Sequence, residues 1–354
     1  MATLTPQQQF DSDFSALQSE MKRLQDAVRL NGMRRAVEQL DADINDMFRR
    51  IERLHAQGYA FTGEVELDAE HASTGWKESE PQIRSQIETL SASLQAELRM
   101  LERQMTQLAT QRSNPALARP LLESLKMSVQ TLSSKTEAAG RDISTMYQAH
   151  NQRVSAVKSR LQRIEWTIQQ LAEASFQLLA TESAIMAVKA VWWKDVEERP
   201  EDPEGVLYLT DQRLIFEQKE EIATKKVLFI TTAKEKVQAL KWEAPVALVE
   251  EVKSSKQGLL RNEDHLDIRF GPGAPLPTVH LHIWQEGSEW VRLINRAKSY
   301  DFDRIRTQPI DEAAQEKAKS APTRCPSCGA TITQVVLRGM DSIQCEYCGY
   351  VIRL

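Results

Sequence analysis

No run of about 18 apolar residues, the length a membrane-crossing helix needs, occurs in this chain. The nearest approach, Leu178–Trp193, is interrupted by Glu182 and Lys189. Met1–Asp11 is polar and lacks an apolar central region, so no export leader is expected. Positive charge is not in excess either: 45 Lys and Arg stand against 50 Asp and Glu, a net charge of −5. Such a chain has no global field to draw it to nucleic acid or anionic lipid, although a local basic patch stays open. No G-x-x-x-x-G-K-[ST], G-x-S-x-G or H-E-x-x-H pattern is present. Nothing therefore positions an acid, base or nucleophile, and neither an enzymatic activity nor a small-molecule substrate is expected. Cysteine is scarce, at four residues, all in the last thirty. Without an export signal, that usage suits a reducing compartment and metal binding rather than disulfides.

What is present divides the 354 residues into two or three domains. Aromatics are only 6%, hydrophobics 41% and charged residues 27%. That mix suits much solvated helix burying one stripe per helix. Residues 1–180 carry that stripe. Phe10, Phe14, Leu17, Met21, Leu24 and Val28 alternate steps of four and three, and the pattern resumes at Met33, Val37, Leu40, Ile44, Met47, Ile51 and Leu54. The phase jump at Asn31-Gly32 predicts a break there. Glu64–Glu80 is polar without a clear period and reads as a loop or short element. The seam returns at Ile83, Ile87, Leu90, Leu94, Leu98, Leu101, Met105 and Leu108. Arg112–Pro120 reads as a turn, and a last helix runs from Leu121 to about Ala180. Short breaks between long helices predict antiparallel neighbours, hence a coiled-coil hairpin or elongated bundle. It would serve as a packed spacer, or as an oligomerisation or partner-binding element.

Residues 181–306 switch to period two. Strands are expected at Ala184–Trp192, Val206–Thr210, Arg213–Glu217, Lys226–Thr231, Val237–Glu243, Ala247–Val252, His265–Phe270 and Thr278–Trp284. A helix should follow, capped by Ser288, with Trp290, Leu293, Ile294 and Ala297 as its stripe. Glu182 before the first strand, the run Gly205, Leu207, Leu209, Thr210, Arg213, Leu214 and Phe216, and Ala247–Lys256 resemble bacterial pleckstrin-homology and GRAM-type domains over about 120 residues. The resemblance implies a seven-stranded half-open barrel with a C-terminal helix. It also implies binding to lipid head groups, membrane surfaces or protein segments. Lipid-binding members carry Lys and Arg in the loop after the first strand. Here that loop, Asp195–Glu204, is strongly acidic and would repel phosphate. Lys225, Lys226, Lys253, Lys256 and Arg261 remain as basic candidates, or as a scattered solvated face. Trp192 and Trp193 suit core packing or a helix–barrel joint, with insertion into a membrane interface as the alternative. His280 and His282 share a strand face and could co-ligate a metal, but no third ligand is evident nearby, so ordinary strand histidines are the default.

After a polar linker, residues 307–321, the tail 322–354 carries Cys325-x-x-Cys328, sixteen residues, then Cys345-x-x-Cys348. Four thiolates at that spacing suit one tetrahedral structural zinc site, with rubredoxin-like iron the chemical rival. Each pair is followed by a glycine, which suits a tight knuckle. Strands are expected at Thr331–Leu337, Ser342–Gln344 and Tyr350–Arg353, and the whole resembles a zinc ribbon free to move on its linker. The fold class is thus multidomain α+β: a long antiparallel helical coiled-coil half, a pleckstrin-like barrel and a small zinc ribbon. The function expected is a non-catalytic scaffold or adaptor with protein partners, and the coiled coil is a candidate for homo-oligomerisation. A peripheral membrane protein and a nucleic-acid-associated regulator are the alternatives. Few basic residues in the tail weaken the nucleic-acid reading. The expected location is cytoplasmic, with peripheral membrane association open.

Overall fold

The computed structural model of the protein describes residues 5–193, 198–227, 230–258 and 262–354, except the side chains of 222–235. Arg261 and part of the acidic loop, with the side chains of Lys225 and Lys226, lie outside those residues. Two compact units divide the chain: residues 1–49 with 67–158, and residues 50–66 with 159–354.

The first unit is built from α1 (Pro6–Ala27), most of α2 (Asn31–Ala56), α3 (Gly63–Thr110) and α4 (Pro115–Ala172). Thr5 opens α1 with a reciprocal capping box: its hydroxyl accepts from Gln8 N–H, and the Gln8 side chain accepts from Thr5 N–H. Partner pairs give the helix directions. Gln25 meets Glu102, Arg34 meets Glu88 and Asp41 meets Arg84, so α1 and α2 run antiparallel to α3. Glu97 meets Lys135, and the Trp76 and His150 rings lie 5.6 Å apart, so α3 and α4 are antiparallel as well. The seam residues Phe10, Phe14, Leu17, Met21, Leu24, Val37, Leu40, Ile87, Leu94 and Leu98 are buried within the chain. Each such side chain contributes roughly 1.5–3 kcal/mol, against about 0–1 for an exposed ion pair. The seam therefore holds the bundle, and the charged pairs set its register.

Three expectations for the helices need correction. Glu64–Glu80 is helical, because Val65, Ala69, Ala72 and Trp76 form a buried stripe too weakly apolar to show as a period. The turn expected over Arg112–Pro120 is only Gln111–Asn114, since Pro115 starts α4 and Pro120 lies inside it. Proline suits a first helical position, and at the sixth it removes a single backbone bond. The break near Asn31-Gly32 turns instead on Leu30, whose φ is 53°. That backbone costs roughly 1–2 kcal/mol, and burial of the Leu30 side chain offsets it.

The second unit contains β1 (Ala184–Trp193), β2 (Glu204–Thr210), β3 (Arg213–Val227), β4 (Ile230–Pro245), β5 (Val249–Gln257), β6 (Glu263–Phe270) and β7 (Thr278–Ile283), then α5 (Gly287–Lys298). The seven strands form one antiparallel sheet in the order β4-β3-β2-β1-β7-β6-β5. The expected sheet and following helix are thus present. Of the strand expected at 226–231, Lys226 and Val227 end β3 and Ile230 and Thr231 begin β4, while 228–229 lie outside the described residues; the strand expected at 237–243 lies within β4. Ser288 is not the cap of α5: Glu286 holds that position, without a side-chain bond.

Alternation in the β2–β3 hairpin buries Leu207, Leu209, Leu214 and Phe216 on one face, with Trp192 and Trp242 edge-on to each other and both against Phe216. Trp192 is thus a core residue. The other face is covered too. Ala187, Val206, Tyr208 and Ile215 pack under Trp166, Leu171, Ala174 and Phe176 at and after the end of α4. Thr167 Oγ1 accepts from Ala187 N–H at 2.8 Å, and the Tyr208 hydroxyl donates to Gln170 O. Covering both faces forces polar residues inside. Arg213 donates to both oxygens of Glu182, at 2.9 Å and 2.6 Å, and also reaches Glu243. Glu182 further accepts from the Thr210 hydroxyl at 2.6 Å and Leu179 N–H at 2.9 Å. No helix among the described residues is long and apolar enough to cross a membrane.

Removing one partner of a buried, hydrogen-bonded ion pair costs about 3–5 kcal/mol. Glu182→Ala should lower stability by that amount, read as a lower urea midpoint from tryptophan fluorescence. Pairing it with Arg213→Leu should recover part of the loss.

Candidate metal centre

The four cysteines lie on two knuckles of the same build. In the first, Gly329 N–H donates to Cys325 O and Cys325 N–H to Ala330 O, both at 2.8 Å. In the second, Gly349 N–H donates to Cys345 O and Cys345 N–H to Tyr350 O, both at 2.9 Å. Each turn closes through a left-handed glycine, with φ of 75° at Gly329 and 73° at Gly349, where a side chain would be strained. Two short strands, β8 (Ser342–Gln344) and β9 (Val351–Arg353), pair antiparallel and carry the second knuckle between them. The strand expected at Thr331–Leu337 does not form. Only an isolated bridge joins Arg324 to Thr331.

The knuckles bring all four Sγ atoms within 4.8 Å of one another. Cys325 and Cys348 are 3.7 Å apart, as are Cys328 and Cys345. All four candidate ligands thus converge in an arrangement that could hold a metal ion. The backbone N–H of Cys328 leads in pulling the Cys325 thiol down to about 7. Cys328 has a backbone N–H of its own, from Ala330, yet the surrounding thiols of Cys348, Cys345 and Cys325 push it up to about 12. Four sulfurs this close do not ionise together unless a cation supplies the opposing charge. The module's own core is small: Cys325, Ile343, Cys345 and Ile352, flanked by Ile332, Val336 and Met340. A core of that size is too small to stabilise the module unaided.

The module does not float on its linker. Arg338 N–H donates to the Gln212 side chain at 2.6 Å, and Gln212 returns a bond to Arg338 O at 3.1 Å. The Arg338 guanidinium reaches Asp211 at 2.6 Å. Arg306, at the start of the linker, donates to the same Asp211 oxygen and to the Ser183 hydroxyl. The other Asp211 oxygen accepts from Ser183 N–H at 2.9 Å. Burial pushes the Asp211 carboxyl above its usual range, against the pull of Ser183 N–H, Arg338 and Arg306. Gly339, at φ 82°, lies so close to the 180–181 backbone that an added Cβ would stand 2.9 Å from Ala180 N. Between module and sheet, a cleft of about 340 Å³ is lined by Val246, Tyr300, Val335 and Leu337, among others. Independent motion of the tail, expected from linker composition, is thus corrected by contacts that composition does not report.

The remaining candidates separate. Lys253 pairs with Glu251 at 2.7 Å and Lys256 with Asp264 at 2.6 Å, so neither stands as an open phosphate ligand. Trp193 is buried on the outward face, its ring 5.0 Å from that of His280. His280 and His282 do not converge on one ligand. His280 Nδ1 bonds Asp267 at 2.5 Å, and His282 Nδ1 bonds Glu198 at 3.0 Å.

No family model matches the chain, and no curated protein matches it. Among solved structures, it is similar to the Vps36 N-terminal PH domain, at 18% identity over 35% of this chain and 85% of that one, TM-score 0.25. It is also similar to a DUF1696 family protein with a pleckstrin-homology domain from Shewanella loihica PV-4, at 14% identity over 38% and 92%, TM-score 0.20. A third is the DH/PH fragment of PDZ-RhoGEF in complex with human RhoA, at 14% identity over 83% and 94%, TM-score 0.24. Likenesses at these scores decide nothing about ligand or partner.

Gly339→Ala should release the module without touching a ligand. Proteolysis within residues 307–321 is expected to quicken severalfold while bound metal is retained. Unchanged cleavage would mean that this contact does not hold the tail.

Proposed function

We propose that this chain is a non-catalytic adaptor, that its cysteine module is a structural zinc ribbon, and that the module's outward side docks a protein partner. The observation that carries the reading is on that side. Tyr347 is 73% exposed, Tyr350 49% and Val351 54%, clustered at the second knuckle, while Arg338 and Gly339 are held against the sheet. Exposed tyrosines on a rigid support suit a partner interface, because they supply large contact area at little conformational cost. A four-thiolate site has no open position for substrate, which favours structure over catalysis, and tetrahedral sulfur suits zinc. Four reduced thiols suit the cytoplasm. The helical seam is already buried within the chain, so self-association through it is not part of the proposal. In sequence Arg199 sits between Glu198 and the acidic Glu201 and Asp202, and Lys253 pairs with Glu251, a mixed charge that favours protein over lipid phosphate or nucleic acid.

The zinc held by the cysteine module should be lost when Cys345→Ser and Cys348→Ser are combined. Residues 322–354 should then lose hydrogen-exchange protection while the seven-stranded sheet keeps its own. An unchanged exchange pattern would refute a structural role for the metal.

The docking surface is tested with a photo-crosslinker at Tyr347 and a control at exposed Leu117. A partner captured only from Tyr347, then purified, should bind the full chain at least tenfold more weakly after Tyr347→Ala and Tyr350→Ala, with zinc content unchanged. Binding to anionic vesicles or single-stranded nucleic acid that those substitutions abolish would overturn the protein-partner reading.

A further inference from the structure

A second set of metal-type donors lies on the outward face of the sheet. Strands β6 and β7 pair in a register that sets His265 directly opposite His282. Directly opposed residues place their side chains on one face, with Cβ atoms about 4.5–5.5 Å apart. The two imidazoles stack, centroids 4.8 Å apart and 11° from parallel. Glu198, in the loop after β1, reaches the same spot, with its Oε2 3.0 Å from His282 Nδ1. One donor atom from each of the three lies within 4.8 Å of the other two.

His265 is the informative member. It is 4% exposed, yet among the described residues neither ring nitrogen has a hydrogen-bond partner. The Glu263 carboxylate stands 3.9 Å from Nε2, beyond bonding distance. The neighbouring Trp193 Nε1 is likewise buried with no partner among the described residues. Buried polar atoms left unpaired are uncommon and call for a missing water or ion. The surroundings attract cations: Glu198, Glu263 and Asp267 all face the pair. His280 belongs to none of this, because its Nδ1 is engaged by Asp267.

We propose that Glu198, His265 and His282 form a binding site for a divalent transition-metal ion, Zn²⁺ by its ligand chemistry, separate from the four cysteines. Two imidazoles and one carboxylate are a zinc ligand set that leaves a fourth position open for water or an anionic group. Tetrahedral bonds of about 2.0–2.1 Å place donors about 3.4 Å apart. Drawing the trio to that spacing requires the side chains to shift, for which the histidine χ2 torsion is soft. A bound ion would tie the loop after β1 to β6 and β7. The acidic loop that argues against phosphate thus supplies a ligand for a cation. This inference does not rest on the adaptor reading.

The test uses the full chain, titrated with zinc by calorimetry, with metal per chain counted after desalting. Two zinc ions per chain are expected. Glu198→Gln, an exposed loop substitution that leaves folding alone, and His282→Phe, which keeps the ring, should each remove the second equivalent or weaken it at least tenfold. His280→Phe should leave it in place. Zinc should also slow hydrogen exchange over residues 198–204 in the parent chain and not in Glu198→Gln. A second equivalent that survives both Glu198→Gln and His282→Phe overturns the proposal. So does a parent chain holding a single zinc that His282→Phe keeps. A single zinc that His282→Phe removes would uphold this site and refute the zinc ribbon instead.

Discussion

The carboxylate of Asp211 is the constraint on which the arrangement of the second unit depends. It sits at the turn of the β2–β3 hairpin, buried, in a medium where an unpaired charge costs several kcal/mol. Its partners come from far away in the chain: Arg306 is 95 residues on and Arg338 is 127. Ser183 N–H, at the entry to β1, supplies the third contact. One carboxylate therefore ties the start of the sheet, the start of the linker and the cysteine module together. Withdrawing either guanidinium leaves the charge less compensated, so the two arginines are needed jointly.

The same economy appears one residue pair further along the hairpin. Because α4 and the segment after it cover the face that a solvated hairpin would leave wet, Arg213 cannot remain in water. Glu182 and Glu243 meet it, and Glu182 is in turn satisfied by Thr210 and the 179 backbone. The hairpin is thereby a rigid two-faced plate. Its core side holds the aromatic cluster, and its turn holds the module that presents Tyr347 and Tyr350. A tyrosine pair presented from a fixed base loses less freedom on binding than one presented from a mobile tail.

Much of this was legible in the residues. The helical seam, the apolar alternation of Leu207, Leu209, Leu214 and Phe216, and the converging cysteines all rest on short-range periodicity or spacing. The misses have local physical causes. Alanines at 69 and 72 carry a buried stripe that hydrophobic patterning under-weights, so the helix has the pattern of a loop. Leu30, not the adjacent Asn31-Gly32, takes the left-handed turn, because its side chain gains burial. Thr331–Leu337 alternates like a strand but finds no full-length partner, and β pairing needs one. His280 and His282 share a strand, whereas His282 stacks between Trp284, just past the end of that strand, and His265 on the neighbouring one.

By itself the sequence determined what depends on residues near one another in the chain: helix stripes, strand alternation and two C-x-x-C knuckles with their glycines. Only the tertiary structure decided which polar residues would be buried, and beside what. Arg338 on Asp211, Glu64 between Arg160 and Arg296, and Glu198 beside His265 and His282 are pairings across long separations. No period or spacing encodes them. They exist because packing both faces of the sheet removes water from charged groups, and each such group must then find its counterpart within the protein.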